Sequence, residues 1–304
     1  MKKTAKAAAL IAAMVLTAAA FAQNFPAYLK MDGTKITGCD KASLPANLVI
    51  PKGVTEIGEK AFYDCRSLKS VVIPEGVTKI GEDAFRECRS RDSGLASVTI
   101  PASVTEIGGG AFMACNWLAN VVIPEGVTSI GAFTFNGCDK LASVTIPASV
   151  TEIGEYAFYG CEKLASVEIS DGVTFIGEQA FYGCKSLASV TIPASVTKIG
   201  DEAFRNCEKI ASVEISDGVT LIGEFAFSVC KSLASVEIPT SVKKIGEYAF
   251  LRCENLKELK YAGTTAQWKK VKKAGETGLE GKTVVCTDGE AIVRTNVLKK
   301  LLQS

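Results

Sequence analysis

The stretch that decides the fold is residues 141–163, LASVTIPASVTEIGEYAFYGCEK, followed by 164–186, LASVEISDGVTFIGEQAFYGCKS, and 187–209, LASVTIPASVTKIGDEAFRNCEK. One cysteine marks the same place in each unit, and the marker cysteines are Cys65, Cys88, Cys115, Cys138, Cys161, Cys184, Cys207, Cys230 and Cys253. Their spacing is 23 residues except for 27 between Cys88 and Cys115, where the polar residues 91–94 are expected to bulge out as a loop. A fixed period over most of a chain predicts a stack of equivalent coils.

Each unit contains two short extended segments and an apolar segment that leads back to the start of the next unit. Residues 143–146 alternate polar and apolar side chains, as a half-buried strand does. Pro147 ends this strand because proline cannot donate to a strand ladder. A second extended run covers residues 150–154, and Gly154 is expected to permit a positive φ or a tight turn. The apolar side chains of residues 157–161 are expected to fill the interior.

One unit cannot fold alone. Its apolar side chains, about eight of them, each stabilise by roughly 1.5–3 kcal/mol when buried, whereas ordering each backbone residue costs about 1–2 kcal/mol. Stacking lets neighbours share one core. The period lies in the range of leucine-rich repeats, about 20–29 residues. We therefore predict a β-rich repeat solenoid, a curved leucine-rich-repeat array of 23-residue coils with a parallel strand ladder, capped at both ends.

The repeated elements IP, VTxIG and AFxxC closely resemble those of the BspA-like bacterial leucine-rich-repeat family. The match covers residues 41–273, with nine copies of AFxxC, in one of which Thr134 replaces alanine. The resemblance implies a surface or secreted protein that adheres to host matrix proteins or to other cells. It also implies an N-terminal hairpin over residues 32–39 and a closing unit from Tyr261 to Trp268.

Four segments are predicted. Residues 1–22 read as a secretory signal peptide, with three early lysines, a short alanine-rich apolar run and cleavage after Ala22. Residues 23–47 form the N-terminal cap, 48–260 the solenoid, and 261–304 the closing unit and tail. In the closing unit we expect a helix from Thr264 or Thr265 to Lys273, a strand and turn over 284–289, and a terminal helix over 297–302. No membrane span is expected after signal removal.

The composition argues against catalysis. Histidine is absent, which removes Ser-His-Asp and Cys-His mechanisms and histidine-ligated zinc. We therefore predict a protein that is not an enzyme and needs no cofactor or metal. The net charge is +1, with 34 basic and 33 acidic residues, so the chain lacks the basic excess typical of nucleic-acid-binding proteins and we expect no nucleic-acid partner.

The nine repeat cysteines are expected to be buried free thiols. Equivalent positions in stacked coils place them in a ladder whose side chains point the same way, which is poor geometry for disulfides. Cys39 and Cys286 lie in opposite caps and are not expected to meet. Trp268 is expected to cap the core, although a ligand-stacking role stays open.

Candidate contact residues lie at outward or variable positions. One outward strand row contains Thr99, Thr145, Glu168, Thr191, Glu214 and Glu237, interrupted by Val122; a parallel row is mostly serine. Phe175, Leu221 and Phe225 occupy variable positions outside these rows, and Phe225 shares its position with Phe133, Tyr156 and Tyr248. Instead of binding a partner, the rows could simply form a solvated sheet face, and the aromatic residues could pack against the neighbouring coil.

The sequence thus predicts an exported leucine-rich-repeat binding protein, located at the cell surface, in the medium or in the periplasm. Its partner is expected to be a protein, such as an extracellular matrix protein or another cell-surface protein, bound on the outward strand face. The alternative is a periplasmic or envelope scaffold protein without a host ligand.

Overall fold

The computed structural model describes residues 25–293. It is a parallel β-solenoid of about 11 coils of about 23 residues, which confirms the predicted fold class. The signal peptide, its cleavage site after Ala22 and the predicted terminal helix over residues 297–302 lie outside the described residues. The other predicted segment boundaries stay predictions.

The first face of the solenoid carries the longer strands, and only the coil around residues 120–123 lacks one among the described coils. These strands are β3 (Asn47–Val49), β5 (Ser70–Val72), β7 (Ser97–Thr99), β10 (Ser143–Ile146), β12 (Ser166–Ile169), β14 (Ser189–Ile192), β16 (Ser212–Ile215), β18 (Ser235–Ile238), β20 (Glu258–Tyr261) and β22 (Thr283–Cys286). Equivalent residues of neighbouring coils pair in parallel register, as Val144 does with Val167. The ladder is interrupted twice, between β7 and β10 and between β12 and β14.

The second face carries two-residue strands. They are β4 (Glu56–Ile57), β6 (Lys79–Ile80), β8 (Glu106–Ile107), β9 (Ser129–Ile130), β11 (Glu152–Ile153), β13 (Phe175–Ile176), β15 (Lys198–Ile199), β17 (Leu221–Ile222), β19 (Lys244–Ile245) and β21 (Lys272–Lys273). They also pair in parallel from one coil to the next, as Ile153 does with Ile176.

The glycine that follows each second-face strand from β4 to β19 lets two coils approach closely. A positive φ at Gly154 was the wrong expectation, since Gly154 is not among the residues with positive φ. A Cβ placed there would instead lie 2.7 Å from the backbone nitrogen of Ala132 and 2.8 Å from the carbonyl oxygen of Ile130. The absence of a side chain is therefore needed for stacking.

The third side is the AFxxC return segment, which joins coils without forming strands. The amide of Phe158 donates to the carbonyl of Ala180 at 2.7 Å, and the amide of Tyr156 donates to Glu178 at 2.9 Å. Two residues per coil adopt left-handed backbone here, as shown by Tyr156 at φ 56° and Gly160 at φ 70°. The left-handed residues turn the chain so that its amides point at the next coil.

The core is a column of stacked rings. Nine phenylalanines are fully buried, one per coil: Phe62, Phe85, Phe112, Phe135, Phe158, Phe181, Phe204, Phe227 and Phe250. Successive ring centroids are 5.1 to 5.6 Å apart and the rings are nearly parallel. Each inner ring of the column packs against a ring on either side, so the column forms an apolar link between successive coils.

The repeat cysteines are free and buried, as predicted. Their thiols do not form a sulfur-to-sulfur chain. Each thiol from Cys88 to Cys253 donates to the phenylalanine carbonyl of the preceding coil, as Cys161 does to Phe135 at 3.2 Å. The thiol thus supplies both apolar volume and a partner for a buried carbonyl oxygen.

Both ends are closed by hairpins. At the N-terminus β1 (Leu29–Asp32) pairs antiparallel with β2 (Lys35–Cys39), which continues in parallel onto β4. A hairpin is therefore present as expected, but it begins at Leu29 and not at residue 32. At the C-terminus β23 (Gly289–Ile292) pairs antiparallel with β22, in agreement with the predicted strand and turn.

The helix of the closing unit is shorter than predicted. Helix α1 (Thr265–Lys270) is capped at its N-terminus by Thr264, whose side chain forms a capping box with Gln267. The helix was expected to reach Lys273, but it ends at Lys270 because residues 272–273 form β21 and pair with β19. Trp268 on this helix is buried against Tyr261, with ring centroids 5.2 Å apart, as expected of a core cap.

The four-residue insert between Cys88 and Cys115 forms an exposed loop. Arg89 and Gly94 make an antiparallel bridge at its base, and the Ser90 hydroxyl accepts the Ser93 amide at 3.1 Å. Because the loop closes on itself, the coils on either side remain in register.

Candidate binding surface

The first face presents a row of outward side chains, one at the equivalent position of each coil, which we call the outer row. It contains Val49, Val72, Thr99, Val122, Thr145, Glu168, Thr191, Glu214, Glu237 and Lys260, one per coil, and all of them are exposed. Inward neighbours on the same strands, such as Val144 and Ile146, are buried. The alternation follows from the two-residue period of a strand, which sends successive side chains to opposite faces.

The outer row changes character along the array. Near the N-terminus it is apolar, with Val49 and Val122 64% and 77% exposed. In the middle the Thr145 hydroxyl donates to the Glu168 carboxylate at 3.3 Å. The surface therefore offers apolar contacts at one end and hydrogen-bonding and charged groups further along.

Two carboxylates of the outer row are direct neighbours. Glu214 and Glu237 are register partners on β16 and β18, and Lys260 on β20 is the next partner. Like charges facing each other across paired strands are destabilising, so an approaching cation would be favoured at this point. Neither carboxylate forms an ion pair among residues 25–293.

The structure does not bring all predicted contact residues together. Thr99, Thr145, Glu168, Thr191, Glu214 and Glu237 share the outer row. Phe175 and Leu221 lie on the second face, within β13 and β17. Phe225 lies on the third side, next to the return segment. They belong to three different sides of the coil.

Phe175, Leu221 and Phe225 are only partly exposed, and both aromatic rings contact side chains of neighbouring coils. The ammonium of Lys198 lies 5.1 Å from the centre of the Phe175 ring. The ring of Phe225 stacks on Tyr248 at 4.9 Å and lies under the guanidinium of Arg205, also at 4.9 Å. The alternative interpretation, packing between coils, thus describes these aromatic residues well.

The third side carries a longer aromatic column than the sequence suggested. Phe133 stacks on Tyr156, which contacts Tyr159, and Tyr159 stacks on Tyr182 at 4.8 Å. Burial raises the pKa of Tyr156, and the nearby carboxylates Glu178 and Glu155 raise it further. Tyr159 and Tyr182 were missed because they follow the buried phenylalanine instead of preceding it.

A lysine cluster at the C-terminal end was also missed. Lys243, Lys244 and Lys272 are exposed, and Lys244 and Lys272 are register partners on β19 and β21. The balanced net charge of the whole chain gave no indication of this local excess of lysines. One available signal was Lys243, which replaces the threonine found at the same repeat position in every preceding unit, as in Thr151 and Thr220.

The described part of the chain contains no cluster of three or more histidine, cysteine, aspartate or glutamate side chains arranged to hold a metal ion. Within the same residues no helix has the length and apolar character needed to cross a membrane.

Comparison with known families gives one match. The family described as "BspA type Leucine rich repeat region" matches six copies, within residues 40–165, 91–209 and 151–271. No curated protein matches the chain.

Solved bacterial structures are similar over most of the chain. A leucine-rich repeat protein from Bacteroides ovatus ATCC 8483 is 23% identical, with a TM-score of 0.49, covering 86% of this chain and 73% of that one. A leucine rich cell surface protein from Faecalibacterium prausnitzii A2-165 is 27% identical, with a TM-score of 0.37, covering 82% and 98%. The leucine rich repeat protein TpLRR of T. pallidum is 26% identical, with a TM-score of 0.39, covering 76% and 90%.

Proposed function

We propose that this protein, which belongs to the BspA-type leucine-rich-repeat family, is an exported binding protein that holds a protein partner on its outer row. A leucine-rich-repeat solenoid is typically a non-enzymatic binding scaffold, and the family suggests a protein-binding or adhesion role. The observation that carries the proposal is the outer row itself. It places exposed side chains at equivalent positions of successive coils along the first face, where they can contact one extended partner.

The chemistry of the row favours a partner with basic groups. Glu168, Glu214 and Glu237 supply three exposed carboxylates in the part of the outer row from Thr145 to Glu237, where the other members are threonines. An exposed ion pair contributes only about 0–1 kcal/mol. Useful affinity must therefore come from contacts spread over several coils or from multivalent display.

The partner class is an extracellular matrix protein or another cell-surface protein. Fibronectin serves as the first probe, with surface plasmon resonance of the mature chain as the measurement. Replacing Glu168, Glu214 and Glu237 together by lysine should weaken binding about tenfold or more, since three attractive contacts become repulsive and about 1.4 kcal/mol corresponds to a factor of ten.

A matched control reverses the same number of charges elsewhere on similar coils. Glu155, Glu178 and Glu224 are exposed beside the third side, so their replacement by lysine should leave binding within about twofold. Far-UV circular dichroism checks that both triple variants remain folded. If the outer-row variant binds as well as the unmodified protein while serine at Phe175, Leu221 and Phe225 abolishes binding, the assignment to the outer row is wrong.

Export is the second part of the proposal and rests on the signal-like residues 1–22. Surface proteolysis of intact cells distinguishes display at the surface from the periplasmic scaffold. A surface protein is cut in intact cells, whereas a periplasmic protein is cut only after the outer envelope is opened.

A further inference from the structure

The N-terminal cap brings a second cysteine to the end of the thiol ladder. The Sγ atom of Cys39, the last residue of β2, lies 3.3 Å from the Sγ atom of Cys65 in the first coil. The other repeat thiols donate to a phenylalanine carbonyl of the coil before them. Cys65 belongs to the first AFxxC unit and contacts Cys39 at that place instead.

We propose that Cys39 and Cys65 form a disulfide that fastens the N-terminal cap to the first coil of the exported protein. The two sulfur atoms need to move together by only about 1.3 Å to reach a bond of about 2.05 Å. Neither residue is part of the outer row, so the inference goes beyond the binding function and concerns how the array is closed.

The surroundings favour attack by Cys39. Its side chain is half-buried, so an oxidant can reach it, whereas Cys65 is buried and needs to reach only Cys39. The pKa of Cys39 is lowered chiefly by the hydrogen bond from Cys65, with further help from the nearby cations Lys41 and Lys30. The thiolate is the nucleophile in disulfide formation, so this environment promotes the first step.

The oxidant is a low-molecular-weight disulfide or a protein disulfide oxidase. The Cys39 thiolate attacks one sulfur of the oxidant, which forms a mixed disulfide and releases the first oxidant thiol. The Cys65 sulfur then attacks the Cys39 sulfur and releases the second thiol. The two cysteines lose two protons and two electrons, and the oxidant takes up both as two thiols.

The bond would fasten one of the two ends at which a repeat array can open. Each coil of a solenoid contacts only its neighbours, so a terminal unit lacks support on one side. Here the hairpin β1–β2 supports the first coil through the pairing of β2 with β4 on the second face. A covalent link between β2 and the return segment would add a second attachment on another side of the same coil.

The test uses the mature chain with glutathione disulfide as the oxidant. Thiols are counted under denaturing conditions before and after oxidation, and peptides are mapped by mass spectrometry without reduction. Of the eleven cysteines, two should disappear on oxidation, and one cross-linked peptide pair should contain Cys39 and Cys65.

Two serine variants make the assignment specific. Cys39→Ser should lose no thiols on oxidation, whereas Cys88→Ser, which removes the next ladder thiol, should still lose two. The melting temperature of the oxidised unmodified protein should fall by several degrees when dithiothreitol is added, and that of Cys39→Ser should not change.

Retention of all eleven thiols after oxidation would overturn the proposal, as would a mapped bond between two other cysteines. These results do not depend on where the protein resides. Failure of export would appear in cell fractionation and failure of binding in the resonance assay, so the inferences can be tested separately.

Discussion

Replacing Gly154 by alanine tests whether the glycine column sets the distance between coils. The matched substitution is Gly160→Ala, six residues later in the same coil. Gly160 has a φ of 70° but has no atoms within 4 Å of an added Cβ. Gly154 has backbone atoms within 3.0 Å of an added Cβ. An added methyl group would therefore clash with the neighbouring coil at Gly154, whereas at Gly160 it would only strain the left-handed backbone.

The expected loss in the free energy of unfolding differs between the two variants. At Gly154 the methyl group would lie 2.7 Å from the Ala132 nitrogen, so the coils must part and the hydrogen bond from the Gly154 amide to Ile130, now 2.8 Å, must lengthen. Overpacking costs about 1–3 kcal/mol and a lost hydrogen bond about 1 kcal/mol. After the roughly 0.4–1 kcal/mol that alanine gains from a less flexible unfolded chain, we expect a loss of about 2–3 kcal/mol.

At Gly160 the left-handed backbone costs alanine about 1–2 kcal/mol, and the same unfolded-state gain offsets part of it. We expect a net loss of about 1 kcal/mol. Gly160→Asn should cost less still, because asparagine tolerates this conformation and Asn206 adopts it at the equivalent position with φ 63°.

Urea unfolding followed by far-UV circular dichroism measures the difference. The slope of the free energy of unfolding against urea must stay constant for the comparison to hold. If Gly160→Ala destabilises as much as Gly154→Ala, close approach between coils is not what requires glycine at this position, and the account of stacking given above is wrong.

Three further predictions concern other parts of the molecule. Burial raises the pKa of Cys253 from 9.0 to about 12, so its contribution to stability is complete below about pH 9 and is lost as the pH rises towards 12. The urea midpoint measured under reducing conditions should therefore fall between about pH 9 and 10.5, and it should fall less in Cys253→Ala. Deletion of residues 90–93 should change the free energy of unfolding by less than about 1 kcal/mol, because Arg89 and Gly94 already pair; a larger loss in urea titration would show that the loop supports its neighbours. N-terminal sequencing of exported protein should begin at Gln23, and a mature chain that still carries Lys2 would contradict the predicted cleavage.

Periodicity made the interior of this fold predictable. A 23-residue repeat with fixed apolar positions leaves few ways to bury those side chains, and stacked coils are the simplest of them. The thiol ladder followed from the same register. What the repeat did not reveal is the hydrogen bond from each thiol, such as that of Cys161 to the Phe135 carbonyl, because the partner belongs to another coil and is a backbone atom.

The errors occurred where the local pattern allowed two physical explanations. A glycine can relieve backbone strain or make room, and the sequence around Gly154 does not distinguish them. Helix α1 was predicted too long because Lys272 and Lys273 have ordinary helix propensity, whereas strand pairing with β19 determines their conformation. Cys39 was considered only against Cys286, and its contact with Cys65 depends on how the N-terminal hairpin folds back onto the first coil.

The candidate surface was predicted only in part. Strand alternation correctly placed the outer row outside, since the inward partners are identifiable by type. The sequence placed Phe175, Leu221 and Phe225 outside this row, but it did not show that Phe225 lies on a different side of the coil from Phe175 and Leu221. That separation depends on the two turns within each unit, whose angles are not encoded in the spacing alone.

The hydrogen bonds between backbones on all three sides of the coil have a consequence for how such a protein can change over generations. Because the links between neighbours involve main-chain atoms and interior side chains, an added or lost unit of 23 residues leaves the remaining junctions chemically the same. Unequal recombination between units as similar as residues 141–163 and 187–209 would then alter the length of the array in whole steps. Substitutions at exposed positions such as Glu168 or Thr191 would alter the side chains that each coil exposes. The length of the array and the chemistry of its surface can therefore diversify independently of each other.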